Sequence, residues 1–380
     1  MPNSTTKSGS KEADLRNVSS VKKVTSGAPT NNVLVDQGQP LINSTFVKIP
    51  DLFSSIMSAE PLMNPHYEKI KPQADAWAAT VYDLDEHTAK RNERVDFAYM
   101  SALWAPYADE DAYRMVIDWN HWIFAFDDQF DEGHLSDNLD LAQKEIDATI
   151  AIMGNDHPPI SKEVNPIRHV FQTLWQRLQK QAGPEQQHRW IENHKYYFKG
   201  LLRQVEIQTT QKKLTVDEYI DFRRQSIGAK PTCTLIEYAH RISIPQSVLD
   251  HPSIVECEEI SAELSFLVND LLSLRKDLEL GVEHNLILLL KKHGLSEQEA
   301  ANRIGDMLNE RYRRWYRALA DLPIYGEEVD REVFKYIDVC RNIALGNIYW
   351  SYQSGRYLKD EGSKVRETRI LNLPAPRSSV

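Results

Sequence analysis

Long stretches of this sequence place apolar residues at spacings of three and four, and this periodicity constrains the fold more than any other feature. It recurs in the segments HVFQTLWQRLQ, WIENHKYYFKGLLRQVEI and VFKYIDVCRNIALGNIYWSY. Alternating strand-like runs joined by Asn-Gly or Asp-Gly turns are missing, as is a GxGxxG pattern after a strand. The sequence therefore predicts an all-α fold with one helical domain. Within the segment 111–132, one helix face is formed by Met115, Trp119, Trp122, Ile123 and Phe126.

The N-terminal residues differ in composition from the rest of the chain. Residues 1–45 are rich in Ser, Thr, Asn, Gly and Lys and show no sustained period. A segment of this kind buries too little apolar surface to offset its loss of conformational entropy. We therefore expect a disordered N-terminal arm at 1–45, the helical domain at 46–360 and a C-terminal tail at 361–380.

Charge and cysteine content exclude several classes of protein. The net charge of −10 argues against a nucleic-acid surface, which needs a basic stripe. A ligand that carries phosphate must therefore be held by a few placed cations or by metal. Cys233, Cys257 and Cys340 form no CxxC pair, so reduced thiols are expected. The N-terminus has no apolar signal region and the apolar runs are too short for a membrane span, which predicts a cytoplasmic protein, either a monomer or a homodimer.

The first cluster of acidic residues lies at the end of the Trp-rich helix. Asp127, Asp128 and Asp131 occur within the run DDQFDE. Residues four apart share a helix face, so Asp127 and Asp131 project together, whereas Asp128 is turned by about 100°. Like charges repel at this spacing and a helix C-terminus disfavours anions, so a cation should compensate. The cluster fits a site for Mg²⁺ and diphosphate; a solvated acidic helix end is the alternative interpretation.

A second polar line runs along a later predicted helix. Asn269, Ser273 and Asp277 occupy positions i, i+4 and i+8, so three oxygen ligands descend one helix face. Lys276 beside them adds a cation for the phosphates of a ligand. Residues of these types at this spacing favour a single metal ion held against one helix, with a merely polar helix face as the alternative.

The two motifs together resemble those of class I terpene synthases, and in particular the fungal sesquiterpene cyclases. The resemblance implies an α-helical bundle of the class I terpenoid synthase type and three Mg²⁺ ions, with Mn²⁺ as a substitute, that bind and help to ionise a prenyl diphosphate. The first aspartate is the most consistent ligand of that family, which ranks Asp127 above the other two. The implied metal ligands are Asp127, Asp128, Asp131, Asn269, Ser273 and Asp277.

Two further segments are similar to motifs of the same family. In the run RRQSIG, the resemblance makes Arg224 the diphosphate sensor, Ile227 the linker and Gly228 the effector. Pro231 cannot donate to the carbonyl of Ile227, and Gly228 loosens the same turn, so free carbonyls are expected at a helix break. Near the C-terminus, the resemblance implies that a pair of residues binds diphosphate through a guanidinium and a phenol, namely Arg356 and Tyr357.

Aromatic side chains have a second use in a cyclase, because carbocations need apolar walls and π faces that exclude water. Phe124 and Trp350 are candidates because they lie close to the motifs in sequence, and Phe97 is a candidate by analogy with the family. Ordinary core packing is the alternative for each of them.

The resulting functional prediction is a carbon–oxygen lyase that acts on phosphates. We expect a sesquiterpene synthase that ionises farnesyl diphosphate, cyclises the cation and releases diphosphate. The first alternative is a diterpene cyclase that acts on geranylgeranyl diphosphate. A chain-elongating prenyltransferase is disfavoured, because it would carry a second aspartate-rich motif in place of the Asn, Ser and Asp line. A helical scaffold without catalysis leaves the alignment of ligand-type residues on two helices unexplained.

Overall fold

The computed structural model describes residues 46–374, and almost all of their regular structure is helical, as predicted. Two three-residue strands are added, β1 (Phe46–Lys48) and β2 (Ile370–Asn372), together with a 3-10 turn at Ser55–Met57. The helices are α1 (Tyr67–Val81), α2 (Glu86–Val95), α3 (Phe97–Trp104), α4 (Glu110–Asp131), α5 (Leu139–Ile152), α6 (Pro166–Gln181), α7 (Pro184–Thr210), α8 (Val216–Ser226), α9 (Ala229–Ala239), α10 (Gln246–Leu249), α11 (Pro252–Leu272), α12 (Leu274–Leu280), α13 (Leu286–Lys292), α14 (Glu297–Ala320), α15 (Glu327–Gln353) and α16 (Gly362–Thr368).

Local sequence signals start several of these helices. Asp109 caps α4 by accepting a hydrogen bond from the backbone N–H of Ala112. Thr215 and Glu218 form a reciprocal capping box at the start of α8, and Ser296 and Glu299 form another at α14. These caps satisfy backbone donors that the first helical turn leaves without partners.

The apolar face predicted for α4 is buried in the core. Trp119, Trp122 and Phe126 are at most 1% exposed. The Trp122 ring stacks on Phe171 of α6 with its centroid 4.4 Å away and on Phe126 at 5.2 Å. Because this face is anchored so firmly, the C-terminal turn of α4, which carries the acidic cluster, has a defined orientation.

Helix α11 lies at the centre of the bundle, where it packs against α8, α9, α14 and α15. Its C-terminal end leads directly into α12, so the line of polar residues predicted there begins inside the core. The break between α8 and α9 lies opposite, at Gly228, whose positive φ of 75° is a conformation that favours glycine. The bundle therefore brings the end of α4, the α8–α9 break and the α11–α12 junction around one space.

The two ends of the described chain meet in a small antiparallel sheet. β1 pairs with β2 in a register that places Val47 opposite Leu371, and both side chains are buried. The sequence predicts a tail at 361–380, but α16 and β2 occupy residues 362–372, so the folded part extends past residue 360. The predicted arm at 1–45 and the end of the predicted tail, 375–380, lie outside the described residues. Within residues 46–374, no helix is long and apolar enough to cross a membrane.

Candidate functional site

A cavity of about 940 Å³, counting its mouth, opens between α4, α8, α11, α12 and α15. One part of its wall is polar and carries residues from both predicted motifs. The rest of the wall is mainly apolar and includes Met100, Trp104, Trp119, Ile123, Phe124 and Ile343.

Two carboxylates of α4 line the polar part of the wall, as their spacing predicts. Asp127 accepts a hydrogen bond from the Tyr197 hydroxyl at 2.8 Å. Asp131 accepts one from the Gln204 amide at 2.6 Å, and the His284 ring nitrogen Nε2 lies 3.2 Å from the same oxygen. Asp127 and Asp131 therefore do not share a partner, because the first is bound by a tyrosine and the second by a glutamine and a histidine.

The electrostatic environments of these two carboxyl groups differ. Burial, together with the neighbouring Asp131 carboxylate, raises the pKa of Asp127 well above its ordinary value. Burial also acts to raise the pKa of Asp131, but His284 and Gln204 outweigh it and hold that pKa below its ordinary value. Asp131 is thus the carboxylate that keeps its charge, and Asp127 is the one that would gain most from a nearby cation.

Asn269, Ser273 and Asp277 all line the same cavity. The helix expected to hold them is divided into α11 and α12 at Ser273, yet the i to i−4 backbone bonds continue through the junction. Ser273 N–H donates to Asn269 O at 2.8 Å, and Asp277 N–H donates to Ser273 O at 2.9 Å. The Ser273 hydroxyl donates to the Asp277 carboxylate at 2.6 Å. The three residues therefore stay on one face across the junction between α11 and α12, as predicted.

The donor set of this cavity fits hard divalent cations. Carboxylate, amide and hydroxyl oxygens are the ligands that Mg²⁺ accepts, and Mg²⁺ usually keeps several positions for water and phosphate. Within residues 46–374, no three His, Cys, Asp or Glu side chains converge closely enough to form a metal centre alone. The oxygens are instead shared between α4 and the α11–α12 junction, an arrangement that leaves room for a ligand between them.

Arg356 and Tyr357 also line the cavity, as predicted, with Lys276 nearby. The Tyr357 hydroxyl accepts a hydrogen bond from the Asn269 amide at 2.9 Å, so its own proton is free to be donated. The Arg356 guanidinium lies over the Phe124 ring, 4.8 Å from its centroid, and its buried Nε has no hydrogen-bond partner. An anion in the cavity would satisfy this donor.

Asp128 differs from the prediction, because it does not line the cavity. Its carboxylate pairs with Arg356, with an oxygen 2.6 Å from Nη2. The helix rotation that brings Asp127 and Asp131 to the cavity turns Asp128 toward this arginine. Asp128 thus holds a cavity cation in place, and the prediction that it binds metal directly is not supported by this geometry.

The arginine doublet at the end of α8 is also arranged differently from the prediction. Arg223 lines the cavity, with Nη2 3.3 Å from the Asn269 amide oxygen and 3.4 Å from the carboxylate of buried Asp270. Arg224 turns away and pairs with Glu263, with Nε 2.8 Å from its Oε1. Adjacent helix residues point about 100° apart, so only one of the two can face the cavity. The structure therefore replaces Arg224 by Arg223 as the cavity arginine.

Gly228 does not line the cavity either, although its neighbours Ile227 and Ala229 do. Its carbonyl is not free, because it accepts hydrogen bonds from the Thr232 backbone at 3.2 Å and from the Thr232 hydroxyl at 2.8 Å. A Cβ at Gly228 would lie 2.8 Å from Ile123 Cδ1. Close packing and the positive φ therefore account for this glycine.

Of the predicted aromatic residues, Phe124 alone lines the cavity within the described chain. Phe97 and Trp350 are 5% and 0% exposed and lie behind it, with centroids 4.7 Å and 5.4 Å from the Phe124 ring. They support the wall instead of forming it. Trp104 and Trp119, which the motifs do not single out, take that place.

Several polar residues of the site are not found by sequence reasoning. Tyr197 and Gln204 are seven residues apart on α7, a spacing that places them on one face. That spacing does not show which helix they face. His284 lies in the loop between α12 and α13, where no local pattern marks it. Only the packing of α7 and of this loop against the acidic end of α4 identifies these residues.

The sequence and the fold of this chain were compared with those of known proteins. The family model described as terpene synthase family 2, C-terminal metal binding, matches residues 118–314. The chain is 44% identical over 332 residues to a (+)-eremophilene synthase of Gibberella fujikuroi, which covers 87% of this chain and 93% of that protein. It is also 44% identical to a guaia-6,10(14)-diene synthase of Fusarium mangiferae over 89% of this chain and 88% of that protein. The crystal structure of an α-eudesmol synthase matches the fold with a TM-score of 0.69 at 19% identity, covering 78% of this chain and 98% of that one.

Proposed function

This chain belongs to the terpene synthase family, and we propose that it is a sesquiterpene synthase that ionises farnesyl diphosphate and cyclises the resulting cation. The reaction is that of a carbon–oxygen lyase. The allylic C–O bond breaks with its electron pair going to diphosphate, and the carbocation closes a ring before it loses a proton or takes up water.

One observation carries the proposal. Oxygen donors from α4, α11 and α12 share a single cavity with three cations and a large apolar wall. The oxygen donors and cations suit a diphosphate with its metal ions, and the apolar wall suits a hydrocarbon chain. An ordinary polar helix face would not bring two arginines and a lysine into the same cavity as its oxygen donors.

Asp127, Asp131, Asn269, Ser273 and Asp277 are the residues that would hold magnesium in this proposal. The ions would neutralise diphosphate and help it to depart as a leaving group, and manganese would substitute for magnesium. Tyr197 and Gln204 keep the two aspartates oriented toward the cavity through the bonds described above. His284 maintains the charge of Asp131.

Arg223, Lys276, Arg356 and Tyr357 would bind the diphosphate directly. Arg223 and Arg356 each bring a guanidinium fork that matches phosphate oxygens, and Asp128 and Asp270 hold those forks in position. Tyr357 can donate its hydroxyl proton to the same group. These donors stabilise charge that develops on the leaving group in the transition state, so they should accelerate ionisation.

The apolar wall would receive the prenyl chain and protect its cation. Trp104, Trp119 and Phe124 present aromatic surface to the cavity, and aromatic faces attract cations. Since these side chains are supported from behind by the buried core, including Phe97 and Trp350, the cavity contour is firm. A firm contour restricts the ring closures that the cation can undergo, and it excludes the water that would end the reaction early.

The test is incubation of the full chain with C10, C15 and C20 prenyl diphosphates. Volatile products are identified by gas chromatography with mass spectrometry, and released diphosphate is measured separately. We expect cyclic C15 products from farnesyl diphosphate with Mg²⁺ or Mn²⁺, and neither product nor diphosphate in excess chelator. Asp277→Ala should lower diphosphate release strongly, whereas Asp306→Ala, at an exposed acid outside the cavity, should leave it unchanged.

Three results would contradict the proposal in different ways. Cyclisation of the C20 substrate with little from C15 would identify a diterpene cyclase. Diphosphate release that persists in excess chelator would refute the metal-dependent mechanism. Absence of product and of diphosphate release with every substrate would refute the enzymatic function.

A further inference from the structure

A second cavity lies beside the first and is not used by the proposed reaction. It occupies about 1380 Å³, counting its mouth, between the C-terminal part of α7, α8, the 281–285 loop and α13. A space of this size can hold a ligand with a long chain.

A polar partition separates the two cavities. His284 lines both of them. Gln204 lines the second cavity but donates its hydrogen bond to Asp131. Tyr219 lines the second cavity and donates to Asp270 at 2.7 Å. These three polar residues therefore mark the boundary between the two cavities.

The remainder of the second cavity divides into an apolar base and a basic mouth. Ile207, Leu214, Phe222 and Leu289 form the base, and each of them is at least partly buried. This surface requires an apolar ligand group, because water gains few hydrogen bonds against it.

The mouth carries exposed Lys212, Lys213 and Lys292. Lys292 pairs with Glu283 at 2.9 Å, and Lys212 lies 3.5 Å from Glu218. Lys213 forms no ion pair within residues 46–374. Two acids, Glu283 and Glu218, therefore lie beside three lysines, which leaves an excess of positive charge on a chain whose net charge is −10. Such a local reversal of charge attracts anions.

We propose that this second cavity is a binding site for an anion that carries an apolar chain, such as a prenyl diphosphate or a fatty acyl carboxylate. The chain occupies the base formed by α7, α8 and α13, and the anionic group stays at the lysine mouth. The site needs no divalent metal, because lysines outnumber acids among its lining residues. It therefore differs from the first cavity, where carboxylates would repel an anion unless metal lay between them.

The test measures binding without turnover, by isothermal titration calorimetry of the full chain in excess chelator. An unreactive farnesyl thiodiphosphate and dodecanoate are the two chain-bearing probes, and inorganic diphosphate is the probe without a chain. We expect at least one chain-bearing anion to bind at least tenfold more tightly than inorganic diphosphate. The affinity should fall as salt is raised, because exposed charges are screened.

Charge-reversal variants locate the bound anion. Lys213→Glu with Lys292→Glu should weaken binding at least tenfold, whereas the matched control Lys144→Glu, at an exposed lysine that does not line this cavity, should not. Leu289→Asn should weaken binding of the chain-bearing probe and leave inorganic diphosphate unaffected. Lys276→Gln in the first cavity should leave this metal-independent binding unchanged.

The outcomes separate this proposal from the proposed function. Binding of the prenyl probe alone identifies the ligand as a prenyl diphosphate, and binding of dodecanoate alone identifies an acyl anion. Absence of binding by both chain-bearing probes would overturn the proposal, and so would binding that the Lys213 and Lys292 variant leaves unchanged. Either result could occur in a fully active cyclase, since none of these measurements depends on magnesium or on product.

Discussion

The arginine doublet at the end of α8 provides the sharpest test of the structure, because family resemblance and tertiary geometry assign its two members differently. Resemblance selects Arg224 as the residue that senses diphosphate, whereas Arg223 is the one that lines the cavity. Replacing each arginine by glutamine removes its charge and keeps most of its length. We expect Arg223→Gln to lower turnover by about 100- to 1,000-fold, the usual effect of losing one donor to charge that develops in the transition state.

Loss of Arg223 would also affect folding, and the size of that effect follows from its partners. Asp270 is 1% exposed and would lose its guanidinium, but it would keep the Tyr219 hydroxyl at 2.7 Å and the Leu286 N–H at 3.0 Å. Breaking a buried pair costs about 3–5 kcal/mol when no partner remains, so we expect about 2–3 kcal/mol here. The double variant Arg223→Gln with Asp270→Asn should recover most of this stability and none of the turnover.

Arg224→Gln should behave in the opposite way. Glu263 is 0% exposed but would keep Arg314, whose Nη1 lies 2.9 Å from its Oε2, as well as Arg311. We therefore expect a loss of about 1–2 kcal/mol in the free energy of unfolding, close to one hydrogen bond to a charged group. Turnover per folded molecule should stay within about threefold of the parent, which is under 1 kcal/mol of barrier.

The assay combines thermal unfolding with steady-state diphosphate release at saturating magnesium, normalised to folded protein. Asp270→Asn alone serves as the control for the double variant. The structural reasoning would be refuted if Arg224→Gln lost about a hundredfold in turnover while the Arg223 and Asp270 double variant retained it. That result would show that Arg224, and not Arg223, senses the diphosphate, as the family resemblance implies.

Three further expectations concern the carboxylates and the aromatic wall. In excess chelator at pH 7, Asp127→Asn should raise the unfolding temperature and Asp131→Asn should lower it, because the folded-state pKa of Asp127 lies above its unfolded value and that of Asp131 lies below. Both differences should shrink as pH falls below about 4, and equal signs at pH 7 would contradict the assigned environments. Asp277→Ala should raise the magnesium concentration for half-maximal turnover more than about tenfold, and an unchanged magnesium dependence would exclude α12 from the metal site. Phe124→Leu should change the ratio of cyclic products more than the total turnover, measured by gas chromatography, because it alters the cavity contour; an unchanged product ratio would show that the ring does not guide the cation.

Much of the fold, and the placing of several candidate ligands on one helix face, is predictable from sequence because both depend on local geometry. Apolar residues at spacings of three and four require helices, and the burial of Trp119, Trp122 and Phe126 agrees with that prediction. The same helical repeat places Asp127 and Asp131 on one face, and both side chains line one cavity in the structure. These relations hold within one helix, so they do not depend on how helices are arranged.

Sequence does not predict which side chains face the cavity where this depends on the rotation of a helix relative to its neighbours. A doublet such as Arg223 and Arg224 contains no signal for which member faces inward, since the whole apolar face of α8 sets that rotation. The same holds for Phe97 and Trp350, whose spacing is compatible with either a cavity wall or the layer behind it.

The sequence by itself determined the helical class and the two segments whose oxygen donors share one helix face, because a helix repeats every 3.6 residues whatever surrounds it. Only the tertiary structure decided that Asp128 holds Arg356, that Arg223 and not Arg224 enters the cavity, and that a second chamber lies behind Gln204 and His284. These features depend on contacts between residues far apart in the chain. Such contacts form only when the apolar faces of many helices pack together at once, which no local pattern encodes.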